Sequence, residues 1–155
     1  MSSPFSFRPS AVVVGIEILP KDSYTFEVGE PKSFIRTSKD PAKNNAENFG
    51  VMYPLKVVSE GASKGKTIYQ NLWMHSEGGQ KAAKGFLMAA TGFSQKQEKE
   101  YDTKYETADF SYDPNAKTAG AAWHELTGKM IKCDLDVGMD TEQKEVQKFG
   151  FWQAY

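Results

Sequence analysis

The chain has 155 residues, 39% of them apolar and 25% charged, which suits one domain with its own core and is too balanced for a disordered chain. A net charge of -1 excludes a global polycation, and a single cysteine, Cys133, excludes an internal disulfide or a cysteine-rich zinc site. No apolar run approaches the roughly 18 residues of a membrane span, and the opening MSSPFSFRPS lacks the basic-then-apolar form of a signal peptide. The expectation is a cytoplasmic protein with no membrane partner.

Residues 1–155 read as one domain, with residues 1–10 as a flexible arm. The β-branched run in AVVVGIEILP predicts a short strand or edge piece. DSYTFEVG sets Tyr24, Phe26 and Val28 against Thr25 and Glu27, the period of a half-buried strand, and KSFIRTS continues it past Gly29 and Pro31. KDPAKNNAEN (39–48) is rich in turn formers and predicts an exposed loop. In FGVMYPLKVVS, Val51, Tyr53, Leu55 and Val57 alternate with Met52, Pro54, Lys56 and Val58. Pro54 cannot donate to a ladder and marks a free edge or bulge. EGASKGK turns the chain back into TIYQNLWM, where Ile68, Leu72 and Met74 take one face, with Gln70 as the odd member. Tyr69, Asn71 and Trp73 take the other face.

The period then changes. Ala82, Ala83, Phe86, Leu87 and Ala90 recur at three and four, an amphipathic helix closed by Gly92. Residues 94–118 have no clear period and many acids, and read as a long, partly ordered acidic insertion. TGKMIKCDLDVG resumes alternation, with Ile131, Cys133, Leu135 and Val137 opposite Lys132, Asp134 and Asp136. MDTEQK is a turn and EVQKFGFWQAY a last aromatic strand. Three strands, a helix and two strands is the order of a five-stranded OB-type barrel with its helix between strands three and four. Meander sandwiches and a small α+β sheet share that order.

Catalytic patterns are weak. His75 and His124 stand far apart without metal-ligand spacing, and ordinary surface or capping roles account for both. Cys133 falls on an apolar face, as a buried inert thiol would. GASKGKT misses the phosphate-loop spacing by one residue and precedes a strand rather than a helix. DLDVGMD lacks the register and terminal Glu of a calcium loop and reads as a hairpin turn. Clustered carboxylates, which a nuclease would need, are missing. No enzyme activity, cofactor or metal is expected.

Charge distribution says more. Between Pro31 and Lys66, Lys32, Arg36, Lys39, Lys43, Lys56, Lys64 and Lys66 outweigh Asp40, Glu47 and Glu60, whereas acids dominate the insertion. In an OB barrel the middle strands form the usual groove, where bases stack on rings and cations track phosphates. Tyr69 and Trp73, with Asn71 between them, are the expected stacking platform. Lys56, Lys64 and Lys66 are the expected phosphate ligands, Phe34 and Arg36 extend the groove, and Lys32, Lys132 and Phe149 complete the set. The plain alternative is that aromatics suit strands anyway and that Tyr69 or Trp73 packs beneath the helix or insertion. In the last strand half the rings must be core, and the others flank the groove or meet a second subunit.

LPKDSYTFEV, the KGKTIYQNLWM hairpin, GQKAAKGFLMAATGF and LTGKMIKCDLDV with its closing strand together resemble a family of small bacteriophage proteins. That family, long catalogued as a domain of unknown function, is associated with single-stranded-DNA binding beside recombination and replication genes. The resemblance covers roughly residues 18–93 and 123–152, leaving out the arm and the insertion. It implies an OB-fold protein that protects or presents single-stranded DNA in the host cytoplasm, alongside phage recombinase or replication proteins. It also implies that the hairpin and the facing YPLKVV strand form the binding surface. Many such proteins end in an acidic tail, whereas this chain ends KFGFWQAY, and the acidic insertion is the segment that could take the tail's place. The competing expectation is a β-barrel protein-interaction module with Tyr69 and Trp73 as interface anchors.

Overall fold

The computed structural model describes residues 18–37 and 47–155. The arm 1–10, most of the β-branched run after it, and most of the loop 39–48, with Lys39 and Lys43, lie outside the described residues.

The chain is mainly β. Strands β1 (Asp22–Val28) and β2 (Lys32–Thr37) are two pieces of one run interrupted between Gly29 and Pro31. Strand β3 (Glu47–Val57) is long enough to pair antiparallel with both, its first half with β2 and its end with β1, while β4 (Thr67–Trp73) pairs along its other side. Beyond β1 lies β7 (Met130–Met139), followed by β8 (Glu145–Phe149) and the short β9 (Gln153–Ala154), both paired with β7. The stretch DLDVGMD thus lies mostly within β7 rather than forming a turn, and the turn falls after it.

Alternation does what it promised for the core. Tyr24, Phe26, Val28, Val51, Tyr53, Leu55, Val57, Ile68, Leu72, Ile131, Cys133 and Leu135 are all buried in one cluster. Each fully buried side chain of this size contributes about 1.5–3 kcal/mol of hydrophobic stabilisation. Helix α1 (Glu77–Ala90) packs across β4 and β9 and buries Ala83, Phe86, Leu87 and Ala90; Ala82, expected with them, is exposed. Ser76 caps its start by accepting from the Gly79 amide. Gly92, at φ +86°, ends it in a Schellman motif, with Phe93 N–H donating to the Met88 carbonyl at 2.8 Å.

The expectation of a closed barrel is corrected. Among the described residues no ladder joins β4 to β8 or β9, so the sheet is antiparallel but not a closed barrel. The last strand breaks at Gly150, Trp152 packs inward against Phe26 and Phe86, and helix α1 contacts both β4 and β9. The insertion, read as partly ordered, contains a 3-10 turn, helix α2 (Glu98–Lys104), and a small hairpin of β5 (Tyr112–Asp113) and β6 (Thr118–Ala119), before α3 (Ala121–His124). Tyr101 of α2 is buried, and a run of ring contacts passes from Phe93 through Tyr101, Tyr105 and Phe110 to Trp123. The buried Ser33 hydroxyl of β2 lies 2.7 and 2.6 Å from the Asp113 and Thr118 carbonyls, fastening the hairpin beneath the sheet.

Candidate nucleic-acid interface

The registers of β2, β3 and β4 lay out the face opposite the core row by row. Phe34 stands across from Gly50, and Gly50 across from Trp73. Lys32, Met52 and Asn71 make the next row, then Pro54 beside Tyr69, then Lys56 beside Thr67. Arg36, opposite Asn48, borders the first row. Three strands therefore bring one face's rings, cations and amides together.

Gly50 makes the first row close. A Cβ there would lie 1.9 Å from the Leu72 carbonyl oxygen, so only glycine fits. The Phe34 and Trp73 rings meet edge to face at 5.1 Å and 83°. The Arg36 guanidinium sits 5.5 Å from the Phe34 centroid and 5.9 Å from that of Trp73, cation–π distances that hold it near the rings. His75 closes the cluster, its ring 5.7 Å from Trp73 and 5.8 Å from Phe49. Trp73 is thus half-buried by neighbours, whereas Tyr69 is 54% exposed. Of the two rings in the expected platform, Tyr69 is the open one and Trp73 braces Arg36.

The other expected ligands separate. Lys32, Lys56 and Lys66 are exposed along β2, β3 and the start of β4. Lys64 is paired 2.5 Å from Glu60, which offsets its charge. Lys132 lies on the polar face of β7, beyond β1, with its ammonium 5.5 Å from the Tyr155 ring centroid. Phe149, distant in sequence, is brought to the free side of β4. There a cleft of about 290 Å³ is walled by Tyr69, Trp73 and Phe149, by Gln70 and Asn71, and by the start of α1 at Gly79. A Cβ on Gly79 would lie 1.9 Å from the Trp73 carbonyl oxygen, so this glycine lets the helix press against the strand end.

Sequence reasoning did not single out His75, Gln70, Gly50 or Gly79 for this site. His75 directly follows the strand that carries Trp73, but nothing in the strand pattern marks the two glycines, which matter through contacts with distant backbone. The second histidine is elsewhere: His124 Nδ1 lies 2.7 Å from Glu30. Among the described residues no group of three His, Cys, Asp or Glu is placed to hold a metal ion. Burial pushes the Cys133 thiol up to about 11, and burial likewise lifts the Tyr53 phenol, whose hydroxyl donates to the Trp123 carbonyl at 2.5 Å.

Comparison with models of known protein families and with curated proteins found no match in either.

Proposed function

We propose that this protein is a sequence-tolerant, non-enzymatic single-stranded-DNA binder that serves phage DNA replication or recombination. The observation that carries the proposal is the outward face of β2, β3 and β4, where an open tyrosine ring and a braced arginine share a surface with Lys32 and Lys56. An OB-type ancestry is part of the proposal. The bent β1–β2 pair, β3, β4, helix α1, β7 and the broken last strand supply the OB order, with the seam between the third and last strands left open. The resemblance to phage proteins supports the biological setting.

Arg36, Lys32 and Lys56 take backbone phosphates, and Tyr69 stacks a base at about 1–3 kcal/mol, whatever its identity. Tyr69 and Trp73 are four residues apart, roughly 13 Å along the strand, so bases about two nucleotides apart on one extended strand reach both. A titration of intrinsic tryptophan fluorescence with oligo-dT tests this reading. Quenching that weakens as salt rises supports it, and an unchanged spectrum with no binding by an independent probe removes it.

A second reading, a protein-interaction module, draws on Phe151, Tyr155 and Met139, exposed by 81%, 76% and 61% near the chain's end. Apolar contacts of that kind would hardly respond to salt.

A further inference from the structure

The outward face does not end at Trp73. Met74 N–H donates to the Phe49 carbonyl at 2.8 Å, which carries the β3–β4 register one step beyond the strand. His75 therefore falls across from Asn48, and Asn48 is itself paired across from Arg36 on β2. Arg36, Asn48 and His75 make a further row past Phe34, Gly50 and Trp73, with hydrogen-bonding groups on all three strands. Phosphate capture by Lys32, Arg36 and Lys56 leaves Asn48 and His75 unused.

A pocket of about 350 Å³ opens at this row, lined by Asn48, Trp73, His75, Ser76 and Gly79. The Ser76 hydroxyl is already taken by the Gly79 amide at 3.1 Å, so the helix start contributes shape alone. His75 is exposed, yet its ring is held by its contacts with Trp73 and Phe49. Its Nδ1 lies 3.3 Å from both the amide nitrogen and the carbonyl oxygen of Phe49. That nitrogen keeps a main-chain partner in either state, accepting from the amide when bare and donating to the carbonyl when protonated. Nε2 has no partner among the described residues and is left for a ligand.

We propose that Asn48 and His75 form a further phosphate subsite, which seats a backbone phosphate beyond Trp73 and ties DNA binding to proton uptake. The inference rests on the single-stranded-DNA reading and deepens it. A protonated imidazole donates from both nitrogens, Nδ1 to the Phe49 carbonyl and Nε2 to a phosphate oxygen, while the Asn48 amide adds a neutral donor. The charged contact is present at low pH and lost as pH rises through the range where imidazole gives up its proton. Arg36 of β2 and His75 share the Trp73 ring, at 5.9 and 5.7 Å, so a phosphate between them offsets their mutual repulsion. The neighbouring acids are turned aside or engaged. Glu47 of β3 alternates to the face opposite Asn48, and Glu77 of α1 lies 3.8 Å from Lys81. Asp113, in the hairpin that packs on Phe49, accepts from the Asn115 and Ala116 amides, and β4 carries no charged residue.

Anisotropy titrations of labelled oligo-dT at about pH 8 and about pH 5.5, each at two salt concentrations, test the subsite. Wild-type affinity at low salt should rise about three-fold at the lower pH, the scale of one exposed ion pair. The salt slope should steepen by about 0.7, one phosphate's worth. His75→Gln should lose both changes. His124→Gln removes the histidine paired with Glu30 and should keep both, which controls for the change in overall charge. Salt-sensitive wild-type binding with no gain at the lower pH, or an equal gain in His75→Gln, overturns the subsite and leaves the single-strand reading standing. Failure of the wild-type chain to bind at either pH overturns both. The wild-type comparison needs no variant, so a variant that fails to fold does not blunt the test.

Discussion

Tyr69 and Trp73 sit four residues apart on the same face, yet their surroundings give them different work. Trp73 is enclosed by Phe34, Arg36 and His75, whereas over half of the Tyr69 surface meets solvent. Tyr69→Ala should leave the melting temperature nearly unchanged and weaken oligo-dT binding by about 1–3 kcal/mol, the range for one stacked base, as read by anisotropy. Trp73→Ala should lower both affinity and stability, because it also removes the support under Arg36. Cys133 makes a separate prediction at this scale. Burial raises its thiol to about 11, so at pH 8 little thiolate exists and the side chain is shielded. Alkylation of the native protein should be slow and should become fast in denaturant; rapid native labelling would contradict the buried placement.

At the level of elements, the β3–β4 ladder depends on Gly50 as much as on any apolar residue. Gly50→Ala would drive a methyl into the Leu72 carbonyl and should cost about 1–3 kcal/mol by overpacking, visible as a fall of several degrees in thermal melts. The insertion is equally structural. Lys84 on α1 bridges Glu98 and Asp102 of α2 at 2.7 and 2.8 Å, Tyr101 is buried, and Ser33 secures the hairpin. Deleting residues 96–114 should therefore destabilise the fold, measured by denaturant titration, rather than merely relieve electrostatic repulsion of DNA. What could be read in advance follows from where each element gets its order. Strands with one buried face declare themselves by period two, and α1 by its apolar stripe and Gly92. Helix α2 and the β5–β6 hairpin are ordered by a chain of rings at positions 93, 101, 105, 110 and 123, a spacing with no period to detect. The same limit applies to the site. Face parity put Phe34 with Arg36 and Tyr69 with Trp73, but only the three-strand register joins the pairs across Gly50. Phe149 lines the cleft beside β4 from the end of a strand that breaks just after it, and its aromatic pattern announced neither.

For the whole molecule, a near-neutral total conceals an uneven surface. Lys32, Arg36 and Lys56 lie on the outward face of β2 and β3, while the acids of the insertion are partly engaged by Lys84. That surface, rather than net charge, is what an unpaired strand would meet. The account's central claim is that this face captures single-stranded DNA, with about three phosphates neutralised. The most direct test is an anisotropy titration of labelled oligo-dT with the wild-type protein and with a Lys32→Ala, Arg36→Ala, Lys56→Ala variant, at about 50 and about 200 mM salt. Three phosphate contacts predict roughly a 20-fold loss of wild-type affinity across that range, and a variant that binds weakly with a much flatter salt response. Wild-type binding indifferent to salt, or a folded variant that binds with unchanged affinity and slope, would contradict it.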